Sequence, residues 1–370
     1  MGIRHYIQYP VIFVIGTFFA AMAAVRLLWR LIRHPIKAFT TVWPKTRDVM
    51  PACLNDPTLG SHGFIHLEDV RLHYVASGDE GKPLMLLIYL FLLQDVRLHY
   101  VASGDEGKPL MLFLHGFPEF WYSWRHQIRE FKKDYRVVAV DLRGYADSDK
   151  PSGVAAYKTT NMVADIKQLI PALGYRTCVL VSHDWGGVLA YQFAAKHQDM
   201  IDKLIIMNAP HSGHMNDYVM KNKSQAKKSW YIAFFQVPLV PEIVFSSFDY
   251  EAVKQIFTGK QSGLRVGKLA ETDVEAYKYA LSRPGGLSGP INYYRAALRY
   301  KLDKSIFKTI EKPTLVIWGS QDTALNKDLA AVPSKFVSNL TIKYIDDASH
   351  WVQMDRPDEV NKIMREWLIA

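Results

Sequence analysis

Two cysteines in 370 residues, Cys53 and Cys178, with no CxxC spacing, leave no material for a disulfide framework or a cysteine-based zinc site. A reducing, cytosol-facing compartment is permitted. Nucleic-acid-binding spacings are also missing, so the formal charge of +9 is read as suiting an anionic membrane surface, with no nucleic-acid partner. Nothing in the pattern asks for a metal or an organic cofactor, and nothing speaks to oligomeric state. Charge itself is missing from Tyr9 to Val25, YPVIFVIGTFFAAMAAV, and Leu27 to Trp29 extend that run past Arg26, which can snorkel to an interface. The stretch 9–29 is long enough to span a bilayer. It is longer than the core of a signal peptide and has no convincing cleavage site before its basic flank, which favours an anchor.

Arg26, Arg30, Arg33, His34 and Lys37 follow the anchor, against Arg4 and His5 before it. The positive-inside rule then predicts a single-pass protein with its main body in the cytoplasm, the endoplasmic reticulum being the expected membrane. Asn222 and Asn339 lie in N-x-S/T sequons that matter only in the reverse orientation.

With 49% hydrophobic and 22% charged residues, the rest of the chain can bury one large core and a modest second unit. DVRLHYVASGDEGKPLML occurs at 69–86 and again, letter for letter, at 95–112, with LIYLFLLQ between. Two copies are too few for a solenoid. An identical repeat reads as a recent duplication or a gene-model error. The second copy runs straight into FLHGFPEFW, so it is expected to supply the strand before that loop. Leu84 to Gln94 is left surplus, exposed or as an extra edge strand.

From there strands alternate with helices: LMLFLHG, then 121–131 helical, YRVVAVDLRGY, then 159–173 helical, TCVLVSH, and further short strands near 204–208, 314–319 and 341–345. That rhythm predicts an α/β protein with a mostly parallel sheet and helices on both faces, and places chemistry in the loops after the strands. Between Pro210 and about Tyr300 the rhythm stops, and aromatic-rich helical sequence reads as an inserted lid. The predicted organisation is an anchor at 9–29, a linker at 30–60, a core at 61–210 and 301–370, and a lid at 211–300.

The centre of the pattern is TCVLVSHDWGG. A buried strand ends at Ser182-His-Asp184-Trp-Gly186-Gly187 and a helix begins at once, so Asp184 occupies a tight strand-to-helix turn flanked by small residues. This is a nucleophile elbow with an acid where serine is usual. An ionised carboxylate can attack an alkyl carbon directly and form an ester, which water must then cleave at the carboxyl carbon with the help of a base and two oxyanion donors. His115-Gly116-Phe117-Pro118 follows a strand, and the N–H groups of Phe117 and Trp185 are the expected oxyanion pair. Asp322 follows the strand TLVIWG and His350 follows TIKYI. The order Asp184, Asp322, His350 is that of nucleophile, orienting acid and base in hydrolases of this architecture. Asp346, Asp347 and Asp355 are weaker candidates for the orienting acid, being too near His350 in sequence.

HGFPEFWYSWRHQI, DLRGYADSDKP, SHDWGG, GPINYYR and SHWVQMDRP together resemble the epoxide hydrolases of the α/β-hydrolase fold, especially membrane-anchored relatives of soluble epoxide hydrolase. The resemblance runs from about Gly63 to the end, the repeat apart. It implies Asp184 as nucleophile, His350 as base, Asp322 as its partner, and Tyr231 in WYIAFFQ with Tyr294 in NYYR as the ring-opening phenols. The aromatic lid, with Trp230, Phe234 and Phe235, points to a small apolar epoxide, lipid- or fatty-acid-derived, and the anchor would place the site near lipid. Ser182 and Ala146 stand where that family often has glycine. Expelling an alkoxide requires a hydrogen-bond donor, which paired phenols supply. A haloalkane-type dehalogenase, which Trp185 would serve, and a silent hydrolase-fold binding module are the alternatives.

Overall fold

The computed structural model describes residues 2–33, 43–67, 73–77, 85–89 and 96–369. His34 and Lys37 of the basic flank, and the repeat positions 69–72, 78–84 and 95 with insert residues 90–94, lie outside the described residues. Among the described residues ten strands follow in order: β1 Ser61–Leu67, β2 His73–Ser77, β3 Met85–Tyr89, β4 Val96–Ser103, β5 Leu110–Leu114, β6 Arg136–Val140, β7 Cys178–His183, β8 Ile201–Met207, β9 Thr314–Gly319 and β10 Leu340–Ile345. Eight of them form one sheet in the order β1-β4-β6-β5-β7-β8-β9-β10. Neighbours from β6 to β10 are parallel, and β4 runs antiparallel to both β1 and β6.

Every residue of β5, β7 and β9 is buried, as their unbroken apolar runs require when helices cover both faces. The chain leaves β5 for β6 on one side and returns past it to β7 on the other. That reversal opens a crevice beyond the carboxyl ends of β5 and β7, where ligands of open α/β sheets bind. Between β8 and β9 lie the helices Ser212–Lys221, Lys223–Lys228, Trp230–Phe234, Val240–Thr258, Glu271–Ser282 and Ser288–Arg299. They are the helical insertion that the sequence reading expects as a lid. Backbone at Ser247–Tyr250 departs from helical angles, so Val240–Thr258 is kinked.

The second repeat copy supplies β4 and the start of β5, as the sequence predicts. The first does something else: β2 and β3 pair with each other, antiparallel, in a separate two-stranded sheet with His73 opposite Tyr89. This corrects the expectation of an extra edge strand, because the ladder groups of β3 are taken up by its own neighbour in sequence. Leu67 lies opposite Val96, so the 28 residues from 68 to 95 leave and rejoin the sheet at one paired position. Without 69–94 the two strands would be joined by Glu68 and Asp95 alone, the length of the commonest hairpin turn. The duplication is thus carried at a hairpin tip, where it leaves the rest of the sheet in register.

The N-terminal helix Gly2–Arg33 contains a span, Pro10–Arg33, long and apolar enough to cross a membrane, with mean hydropathy 2.3. It packs against the lid helices Trp230–Phe234 and Val240–Thr258.

Candidate active site

Asp184 sits between the last residue of β7 and the helix Trp185–Lys196 with φ +48° and ψ −117°, a conformation that costs on the order of 1–3 kcal/mol for a residue with a Cβ. Close packing holds it there. A Cβ on Gly186 would lie 2.2 Å from the Leu114 carbonyl oxygen, and one on Gly116 would lie 2.5 Å from Asp184 Cβ, so both positions demand glycine. Ser182, at the first glycine position of many elbows, donates to the Ile205 carbonyl at 3.2 Å. Ala146, the second departure, has φ +40°, which costs roughly 1 kcal/mol relative to glycine.

One carboxylate oxygen of Asp184 accepts the Phe117 N–H at 2.9 Å, and the other faces His350 Nε2 at 3.6 Å. The far nitrogen of that imidazole, Nδ1, donates to Asp322 Oδ2 at 2.7 Å. Asp322 is itself fixed: Asn208 Nδ2 donates to the same oxygen at 2.7 Å, while the N–H groups of Ala324 and Leu325 donate to Oδ1 at 2.7 and 2.8 Å. The other acids near His350 serve elsewhere. Asp355 accepts the N–H groups of Arg265, Val266, Gly267 and Ser349, Asp347 pairs with Arg356, and Asp346 accepts from Ser320.

Electrostatics follow from that geometry. Burial alone would raise the Asp184 carboxyl, but the adjacent His350 and the Phe117 N–H outweigh it and hold the group below the usual carboxylate range. Asp322 behaves alike, its burial offset by His350, Asn208 and the Leu325 N–H. For His350 burial pulls downward, yet Asp322 and Asp184 push it up to about 10. At rest the site is therefore two carboxylates around an imidazolium.

Tyr231 and Tyr294 line the same cavity as Asp184 and His350, a space of about 840 Å³. Their rings stand 5.7 Å apart at 83°, and both phenols are pushed up by burial and then by the Asp184 charge. They come from different helices, Trp230–Phe234 and Ser288–Arg299, clamped by residues beside them in the same motifs. Arg295 donates to the carbonyls of Phe235 and Val237, each at 2.9 Å, and pairs with Glu242; Gln236 Nε2 donates to the Tyr294 carbonyl at 3.1 Å.

The loop His115–Pro118 divides. Phe117 and Pro118 line the cavity, whereas His115 is a strut behind it: its Nδ1 donates to the Gly116 carbonyl at 2.8 Å, its Nε2 accepts the Leu142 N–H at 3.0 Å, and its ring packs on Tyr145. Trp185 packs edge-on against Tyr293 and Tyr294. Sequence reading missed a hub. Glu119, fully buried, accepts the Gly116 N–H at 2.9 Å, His183 Nδ1 at 2.6 Å and Gln353 Nε2 at 2.8 Å, while His183 Nε2 donates to the His350 carbonyl at 2.9 Å. One side chain thus ties the His115–Pro118 loop, the Asp184 turn and the His350 loop together. Its signal in the sequence was an acid in an otherwise apolar, aromatic run, HGFPEFW. Asn208, immediately after β8, was equally silent.

Comparison with known proteins gives the family and the fold. Residues 109–357 match the model of the alpha/beta hydrolase fold. The chain is 42% identical to mouse (Mus musculus) epoxide hydrolase 4 over 354 residues, covering 94% of this chain and 90% of that protein. It is 41% identical to epoxide hydrolase 3 of Xenopus tropicalis over 360 residues, covering 96% and 90%. The crystal structure of Bacillus megaterium epoxide hydrolase in complex with an inhibitor superposes with a TM-score of 0.68 at 35% identity, covering 74% of this chain and 98% of that one. An acid at the elbow, a histidine and acid behind it, two phenols across the cavity and these relatives place the chain in the epoxide hydrolases of the α/β-hydrolase fold.

Proposed function

We propose that the chain hydrolyses apolar, lipid- or fatty-acid-derived epoxides to vicinal diols through an ester on Asp184. The observation that carries the reading is the shared cavity: an ionised Asp184 whose Oδ1 is held by the Phe117 N–H and whose Oδ2 lies 3.6 Å from His350 Nε2, and two phenols able to donate to one oxygen. The carboxylate oxygen attacks an epoxide carbon, the ring C–O bond breaks, and the oxygen takes hydrogen bonds and then a proton from Tyr231 and Tyr294. Halide departure would need neither phenol, which weighs against the dehalogenase alternative. Their presence also gives a binding-only module no account.

The second half-reaction depends on the first. While Asp184 is a carboxylate, His350 is protonated and cannot accept a proton. Esterification removes one of its two anionic neighbours and lowers its proton affinity, so the imidazolium gives its proton back to the phenolate left by ring opening and becomes a base where none existed. Neutral His350 then draws a proton from water as that water attacks the ester carbonyl, and the N–H groups of Phe117 and Trp185 receive the oxyanion. Collapse releases the diol and returns a carboxylate carrying one oxygen from water. In a single turnover in isotopically heavy water the label should enter Asp184 before it enters the diol; label found only in the diol would sink the ester.

The apolar span at the N-terminus supports anchorage in a membrane, and its basic flank supports a cytoplasmic catalytic body. Glycans on Asn222 or Asn339 in cells would reverse that orientation.

A further inference from the structure

The N-terminal helix is not free of the catalytic body. From Ile12 to Leu31 the less exposed positions are Ile12, Gly16, Phe19, Ala20, Ala23, Leu27 and Leu31, and every other residue of the stretch is exposed. Steps of three and four put these on one helical face. The face is cut for close approach. A Cβ on Gly16 would fall 2.1 Å from the Ala233 carbonyl oxygen, and Ala20 is buried one turn on, the small-residue pattern by which helices meet in membranes. Phe19 packs on Trp230 with ring centres 4.8 Å apart, and the Arg30 guanidinium lies over Phe248 at 5.1 Å.

The cavity that holds Asp184 extends to this seam, where Phe19, Met22, Arg26 and Arg30 form part of its wall opposite Phe235 and Phe245. Gly16 and Arg26 are ten residues apart, about 15 Å along a helix, or half the thickness of a bilayer core. If Arg26 sits at the headgroups, the lid segment against Gly16 reaches about one leaflet deep. That segment carries the apolar surface such a position needs: Leu239 is 69% exposed, Ile243 51% and Trp230 46%. Residues 2–15 then supply about 20 Å for the other leaflet.

We propose that the anchor helix is one wall of the substrate channel, and that an epoxide-bearing acyl chain with an anionic end enters sideways from the bilayer between this helix and the lid. Arg26 makes no ion pair among the described residues and stands with Arg30 at the interfacial end of the channel, where they hold the anionic end while the chain runs inward. Glu251 shares that mouth and accepts from Gln255, leaving two cations against one acid there. This inference deepens the proposed function and rests on its epoxide-hydrolase and membrane-anchor readings.

The test uses the full chain in phosphatidylcholine vesicles and the variant Gly16→Leu, which keeps the anchor apolar but wedges it from Ala233. Relative to methyloxirane, a small water-soluble epoxide, kcat/KM for a long-chain fatty-acid epoxide should fall at least tenfold in Gly16→Leu. In R26Q/R30Q the preference for that acid over its methyl ester should be lost. A diazirine-bearing fatty acid reports without turnover: in the wild type it should label both the anchor around Phe19 and the inner wall at Phe235, and in Gly16→Leu the Phe235 label should disappear. Unchanged selectivity with Phe235 still labelled would overturn the channel, as would release of the chain from vesicles by alkaline carbonate. Labelling as expected without turnover of either epoxide would uphold the channel and refute the hydrolase reading instead.

Discussion

Replacing Asp184 by Asn imitates the ester, since it keeps the shape and removes the charge, and its effect on His350 can be worked from one distance. The carboxylate oxygen lies 3.6 Å from His350 Nε2. Two unit charges at that separation attract by about 4–5 kcal/mol at an effective dielectric constant near 20. At 1.36 kcal/mol per pH unit this amounts to about 3 pH units of proton affinity. The wild-type imidazolium, held up to about 10 by Asp322 and Asp184 against the pull of burial, should therefore titrate about 3 pH units lower in Asp184→Asn, close to the working pH of a general base. Carbon NMR of histidine ring positions measures it, the His350 signal being identified among the 13 histidines by its loss in His350→Gln. If the midpoint in Asp184→Asn stays near that of the wild type, Asp322 alone holds the proton, and esterification does not create the base.

The two phenols should act on the first half-reaction only: Tyr231→Phe and Tyr294→Phe each slow alkylation of Asp184 by roughly a hundredfold, and the double variant abolishes it. Unchanged alkylation in stopped-flow traces of the double variant would remove them from the chemistry. Stability should follow the His350 charge. Because its folded value is raised above the ordinary 6.5, the stabilisation is complete below that pH and disappears as pH rises through about 10. Melting temperatures should fall across that interval, less steeply in Asp184→Asn; a flat profile contradicts the charge assignment. Deleting residues 69–94 shortens the β1–β4 connection from 28 residues to two, worth on the order of 2 kcal/mol in closure entropy. Denaturant midpoints should rise with turnover retained, and a loss of folding would show that the first copy is needed.

Much of the fold and of the side chains that meet in the candidate site was readable in advance because they lie on local signals. The elbow is continuous in sequence, and Asp322 and His350 each follow a strand directly, so period and position suffice to find them. The phenols needed the family resemblance, since a tyrosine among twenty carries no mark of its own. Glu119 and Asn208 were beyond reach for a physical reason. Each earns its place by reaching partners far away in sequence, Gln353 for one and Asp322 for the other, and no window of residues records such a meeting. His115 sits beside Phe117 and Pro118, yet its ring nitrogens meet backbone on two separate loops, the Gly116 carbonyl and the Leu142 N–H, and only the fold brings the second of these within reach. The seam between the anchor and the lid was equally invisible, although Gly16, Ala20 and Ala23 spell its spacing.

Letter-for-letter duplication gives β1 two indistinguishable suitors. The chain can thread Val96–Ser103 beside β1, as seen here, or Val70–Ser77, which brings an identical Arg-x-His to the loop that Asp141 and Asp149 hold. The first threading closes loops of 28 and six residues and the second loops of two and 32, a difference of only about 1 kcal/mol in closure entropy. Nascent chains should therefore partition between two frames that differ in partner yet agree in every side chain presented to the core. Refolding traces would then carry two phases that merge into one when a single copy remains, and a lone phase from the intact chain would show that one frame is never visited.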